Sequence, residues 1–328
     1  MQLVISNARS SVSLARPTWT RFFTTLAVGA VSLLGAAQLA AQPAHLTKGH
    51  QLVDEITAAQ SQGVFTGVVD GATVFLNRYG GSWDTPGDLS FIRFFDANRA
   101  ANVGPYAANY TTCAPLVTHL LKYTYNWNWS QYPIPDALDN GNLVAKASPR
   151  SYLYVSAIKH QIGFAAQITT LLNVQPGDIA ARWEVGTDEG HTMIVVGVNA
   201  NSAKAYPLSS TDANFEPALA GSTYYEMTVL DSSSSGHTAD TRMITYNGKT
   251  ELSGGAGRGT MGVFVNANGT VIAHTWSLPT SNYLTYDKVL KAHVINPYWL
   301  SGIKTRLKKQ ADVELVFGRL PALNAVNP

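Results

Sequence analysis

Apolar positions recur at helical spacing in the first half of the chain and in short, strand-like runs in the second. Residues 42–62 place Leu52, Val53 and Ile56 on one face, which predicts a short helix; Gly63–Trp83 reads as extended or loop-rich. In the stretch from Thr111 to Tyr123, Cys113, Leu116, Val117, Leu120 and Leu121 fall at offsets of 0, 3, 4, 7 and 8, one face of a helix. Thr111 and Thr112 are candidate N-caps, and Pro115 suits a first turn, where a missing amide hydrogen is not needed. A further helix is expected near Arg150–Phe164. Strands follow at Ile179–Val185, His191–Ala200 and Tyr224–Ser233, then a hairpin over Met261–Ser277 turning at Asn266–Gly269, and a last strand at Asp312–Leu320. Helices first and strands afterwards predict an α+β fold with the Cys113 helix packed on an antiparallel sheet.

The N-terminal residues change the charge balance. Residues 1–41 carry Arg9, Arg16 and Arg21, no acidic residue, an apolar run over Phe22–Ala37 and a small-residue end before Gln42. That is the pattern of a secretory signal peptide, with cleavage expected near Ala41. Removing these three of the 23 Lys and Arg leaves 20 against 21 Asp and Glu, a net of about −1. Such a balance argues against nucleic-acid binding, which needs clustered cations; Lys304–Gln310 reads as a solvated basic face. Low charge with frequent Gly, Tyr and Trp suits a β-rich exported protein. No later segment is apolar enough to span a membrane, so no stable insertion is expected once the signal is removed.

Export sharpens the question of Cys113, the only cysteine. Exported proteins use cysteines in pairs, and an odd one is either inert in the core or chemically active. A helix N-terminus favours the thiolate. A nucleophile also needs a base and an orienting group. His191 heads an apolar strand just after Gly190, and Asp231 ends the next strand. His237 and Asp240 are an alternative source of the orienting group, or serve to hold their own loop. No ligand spacing supports a metal site at these residues. Trp83, Trp127, Trp129 and Trp183 either line a groove or pack in the core, and His274 and Trp276 read as hairpin residues. Gly257–Gly262 fits a dinucleotide glycine pattern, but no strand leads into a helix there, so a flexible loop is expected.

The set Thr111–Val117, Val174–Trp183, Gly190–Val198 and Tyr224–Ser235 resembles the NlpC-type cysteine peptidases, circularly permuted relatives of papain, many of which cut peptidoglycan peptides. Cys113, the Pro176-Gly177-Asp178 turn and Gly190-His191 match that family's motifs in order, and Asp231 lies where its third polar residue is expected. Thr112 replaces the family's usual Asp, and Ala114-Pro115 replaces Ser-Gly. The resemblance implies a permuted papain-like core at 101–245, flanked by the signal at 1–41, an N-terminal addition at 42–100 and a C-terminal β-rich addition at 246–328 packed on the core. It implies a secreted or periplasmic cysteine hydrolase that cleaves an amide in a peptide or peptidoglycan-like partner through Cys113, His191 and Asp231, with no cofactor. A tyrosine before the cysteine often supports the oxyanion in that family; Tyr106 and Tyr110 are the candidates. The open alternatives are a non-catalytic glycan- or peptide-binding module using the Tyr125–Tyr132 loop, and an acyltransferase on the same scaffold.

Overall fold

Helices α1 (Ala44–Ser61), α2 (Cys113–Tyr125) and α3 (Ser151–Lys159) share one apolar core with the central sheet. The computed structural model describes residues 42–69, 72–81, 90–94, 107–208, 216–278, 284–287, 292–295 and 307–327. The expected signal peptide, Trp83 and Tyr106 lie outside them. The architecture is mixed α+β and mostly antiparallel. Among the described residues no helix is long and apolar enough to cross a membrane.

The central sheet has eight strands, in spatial order Leu307–Lys309, Val271–Thr275, Gly255–Val265, Thr223–Ser233, Gly190–Ala205, Ile179–Glu184, Val313–Arg319 and Ala166–Ile168. Side chains alternate between its faces. Ile179, Ala181, Ile194 and Leu230 face the helices and meet Leu116, Val117, Leu120 and Leu121 of α2. Met193, Val195, Met227, Val229, Met261 and Val263 form a second core on the other face, closed by Leu171 and Val174. Both faces of the sheet centre are therefore covered, and the run Met193-Ile194-Val195 is wholly buried.

The segments expected as additions complete this unit. Leu52, Val53 and Ile56 of α1 enter the same core as α2. Val313–Arg319 pairs with Ile179–Glu184 on one side and Ala166–Ile168 on the other, so residues beyond 246 are integral to the sheet. Without them the Asp231 strand and the Ile179 strand would be open edges, a liability that pairing removes.

Gly257–Gly262 is a correction to the expected loop: it lies inside the strand Gly255–Val265 and pairs along its length with Thr223–Ser233. Glycine is demanded here by close approach. A Cβ on Gly257 would meet Arg242 Cγ at 2.6 Å, and one on Gly259 would meet His237 Cβ at 2.5 Å. The hairpin turn at Asn266–Gly269 forms as the sequence predicts, with Gly269 at φ 76° and its amide donating to the Asn266 carbonyl.

A small sheet introduces α2. Asn77–Tyr79 runs parallel to Ala108–Thr111, which pairs antiparallel with Phe91–Arg93. Thr112 occupies the N-cap position of α2 with extended backbone, but its side chain makes no capping bond, and Thr111 Oγ1 donates instead to Asn109 Oδ1 at 2.7 Å. The first-turn amides of Cys113 and Ala114 are thus not consumed by a side-chain cap.

Candidate active site

Register brings the chemistry together. Ile194 pairs with Leu230 and Val195 with Val229. Continuing that register sets Asp231 opposite Met193, with His191 on the diagonal of the same face, within reach for a long ring. His191 Nε2 lies 2.6 Å from Asp231 Oδ2. The other ring nitrogen is left free of Asp231, and the imidazole charge acts on the neighbouring Cys113 thiol. Ser232 Oγ donates to the Thr111 carbonyl at 2.7 Å, tying the Asp231 strand to the entry of α2. Cys113, His191 and Asp231 are thereby gathered near the N-terminus of α2, with Cys113 Sγ 4.0 Å from the carbonyl of Gly190, the residue before His191.

The thiol has a second neighbour that sequence reading missed. Ser151, at the start of α3, places Oγ 3.5 Å from Cys113 Sγ. Thr192 Oγ1 donates to Ser151 Oγ at 2.9 Å, which leaves the Ser151 proton to point at sulfur. Two helix N-termini therefore converge on one thiol. Gly190 makes this possible, since a Cβ there would lie 2.4 Å from the Arg182 carbonyl and 2.9 Å from Ser151 Cβ.

The electrostatics follow from burial and pairing. Burial pushes the Cys113 thiol up, but the charge of His191, with hydrogen bonds from His191, Ser151 and the Thr192 backbone, outweighs it and brings the thiol down to about 7. Burial pushes His191 down, and Cys113 and Asp231 reverse this, raising it to about 9. Cys113 and His191 titrate as a pair, so these values describe a window in which thiolate and imidazolium coexist. Burial also opposes ionisation of Asp231, yet Arg242 and His237 hold it well below the usual carboxylate range.

Asp231 is fully buried and faces three cations or donors. Besides His191 it receives His237 Nε2 at 3.2 Å and lies 3.0 Å from Arg242 Nη2. Arg242 forks onto Asp240, Nε to Oδ1 at 2.8 Å and Nη2 to Oδ2 at 2.7 Å. His237 and Asp240 thus back the Asp231 carboxylate rather than replace it. Among the described residues no group of three or more His, Cys, Asp or Glu is arranged to hold a metal ion.

Trp276, expected only as a hairpin residue, roofs the site. Its ring stacks on His237 at 4.2 Å between centroids and meets His191 edge-on at 4.7 Å. His274 is buried two residues earlier. Trp127 and Trp129 belong to the core: they are T-shaped to each other, Trp127 stacks on Tyr132, and Trp129 meets Tyr154 edge-on. Trp183 is half-buried and donates to the Thr187 carbonyl.

The cleft over Cys113 has a volume of about 270 Å³ and is lined by Tyr79, Pro115, Ser148, Arg150, Asp188 and Glu189 among others. Tyr110 does not line it; that ring packs edge-on against Phe91 and under Arg78. The tyrosine at the thiol is Tyr79, brought in by the parallel pairing of its strand with Ala108–Thr111. Burial, then the negative charges of Cys113 and Asp231, push its phenol up, so the hydroxyl keeps its proton and is available to donate. A roomier groove of about 430 Å³ between the hairpins Thr66–Phe75 and Met243–Leu252 holds no nucleophile beside a base.

Comparison with known proteins yields no match: no family model, no curated protein and no solved structure matches the chain.

Proposed function

We propose that this chain is a secreted cysteine hydrolase that cleaves an amide bond, with a cell-wall peptide as its substrate, on a permuted papain-like core. The observation that carries the reading is the buried His191–Asp231 pair, Nε2 to Oδ2 at 2.6 Å, set beside the Cys113 thiol, which despite burial the His191 charge brings down to about 7. The order cysteine helix, histidine strand, carboxylate strand supports the permuted core. The substrate class rests on the resemblance of the motifs around Cys113, Asp178 and His191.

Each step has a residue. The Cys113 thiolate attacks the amide carbonyl carbon, and the carbonyl oxygen takes up the negative charge. The Cys113 backbone amide and the Tyr79 hydroxyl donate to that oxyanion. The C–N bond breaks as His191 gives its proton to the leaving amine, leaving a thioester on Cys113. Neutral His191 then takes a proton from water, hydroxide adds to the thioester, and the acid leaves as the Cys113 thiolate and protonated His191 return. Asp231 touches no substrate; it holds the His191 ring and favours its charged form.

Digestion of purified sacculi with the full chain, followed by muropeptide separation, tests the reading. New peptide termini are expected with the wild type and none with Cys113→Ala. Intact muropeptides under conditions where the thiol is shown to react would refute the cell-wall substrate. Transfer of the acyl group to added amines in preference to water would make the enzyme an acyltransferase instead.

A further inference from the structure

We propose that His237 is a positioning residue that acts as a buried cation: it donates from both ring nitrogens and thereby sets the ionisation of the Cys113–His191 pair through Asp231. This rests on the hydrolase reading above.

Both ring nitrogens of His237 face acceptors. His237 Nδ1 lies 2.6 Å from the Trp276 carbonyl, which can only accept. Its Nε2 lies 3.2 Å from Asp231 Oδ2, and an ionised carboxylate also only accepts. An imidazole whose two nitrogens both face acceptors carries both protons and one positive charge. The ring is buried, and the same carboxylate oxygen serves His191.

The surroundings make this charge consequential. His237, in the loop that follows the Asp231 strand, faces Asp231 and the hairpin residue Trp276; its backbone amide donates to Asp240 Oδ2 at 2.6 Å. Arg242 lies between the two carboxylates, and Arg182 sits beyond Trp276, 5.8 Å from its ring. Cys113, Asp231, Asp240, His191, His237 and Arg242 are all buried. With His237 positive, three anions face three cations when the thiol is ionised and His191 is protonated. A neutral His237 would leave that buried set with an uncompensated negative charge, which low-dielectric surroundings penalise.

The sign of the effect follows. Each proton added to the Cys113–His191 pair adds a positive charge. Removing the charge of His237 makes both additions easier, so both titrations move to higher pH. A merely structural role predicts something else: Asp231 drifts, the ion pair loosens, the thiol rises and His191 falls.

The test uses the full chain as wild type and His237→Gln. Thiol alkylation against pH reports Cys113, and the ring resonances of His191 report the imidazole. In His237→Gln the alkylation rate below neutral pH is expected to fall roughly 3- to 10-fold, as an upward move of half to one pH unit requires, while the His191 titration also moves up. A falling or unmoved His191 titration overturns the proposal alone and leaves the hydrolase reading standing. A wild-type thiol that titrates as a free one overturns both. The wild-type ¹⁵N spectrum decides independently of any variant: two protonated ring nitrogens on His237 support the proposal, and one bare nitrogen overturns it.

Discussion

Gly257 lies directly opposite Asp231 across two paired strands, and the space its missing side chain leaves is where Arg242 enters to meet that carboxylate. Gly259 does the same for His237 two pairs further on, opposite Val229. The glycines thus shape the surroundings of Asp231 without supplying a side chain of their own.

Gly257→Ala is expected to push Arg242 off its bonds to Asp231 and Asp240. Overpacking of this kind costs roughly 1–3 kcal/mol. Denaturant unfolding should show that loss, together with a rise in the pH at which Cys113 ionises. A variant as stable and as reactive as wild type would contradict the packing account.

Asp231→Asn keeps the shape and removes the charge. His191 loses the partner that favours its protonated form, and Arg242 keeps Asp240 and the Gly255 carbonyl. The expected losses are about 10²- to 10⁴-fold in kcat and about 3 kcal/mol of stability. Steady-state kinetics and thermal unfolding report the two separately.

Tyr79→Phe removes one donor to the oxyanion and leaves the ring. We expect kcat to fall about 10²- to 10³-fold with KM little changed. A change confined to KM would place Tyr79 in substrate binding instead.

Activity against pH should be bell-shaped. It rises as Cys113 loses its proton near 7 and falls as His191 loses its own near 9, because the leaving amine then finds no proton. Ser151→Ala removes a hydrogen bond to sulfur and should move the rising limb to higher pH, leaving the falling limb nearly in place.

Much of this arrangement is legible in the sequence, for identifiable reasons. Cys113 opens a helix whose apolar offsets are regular, and His191 and Asp231 sit on strands whose parity and neighbouring order set their face. Local pattern carries those facts. Ser151, Tyr79, Arg242 and Trp276 are different: each reaches the site through a tertiary contact, from the start of another helix, a parallel strand in a separate sheet, a loop and the end of a hairpin. No periodicity marks them. The Gly257–Gly262 run misled because its glycines look like loop residues, while their cause lies in side chains that enter from residues 237–242. Trp127 and Trp129, which the sequence left as either groove or core residues, prove to be core.

The rate of Cys113 alkylation against pH, in wild type and in His191→Ala, tests the central claim most directly. The account predicts a wild-type thiol that ionises near 7 and moves up to or beyond the free-thiol value of about 8.5 when the imidazole is removed. A thiol that resists alkylation in the folded protein, or that titrates alike in both, would contradict it and leave Cys113 a core residue.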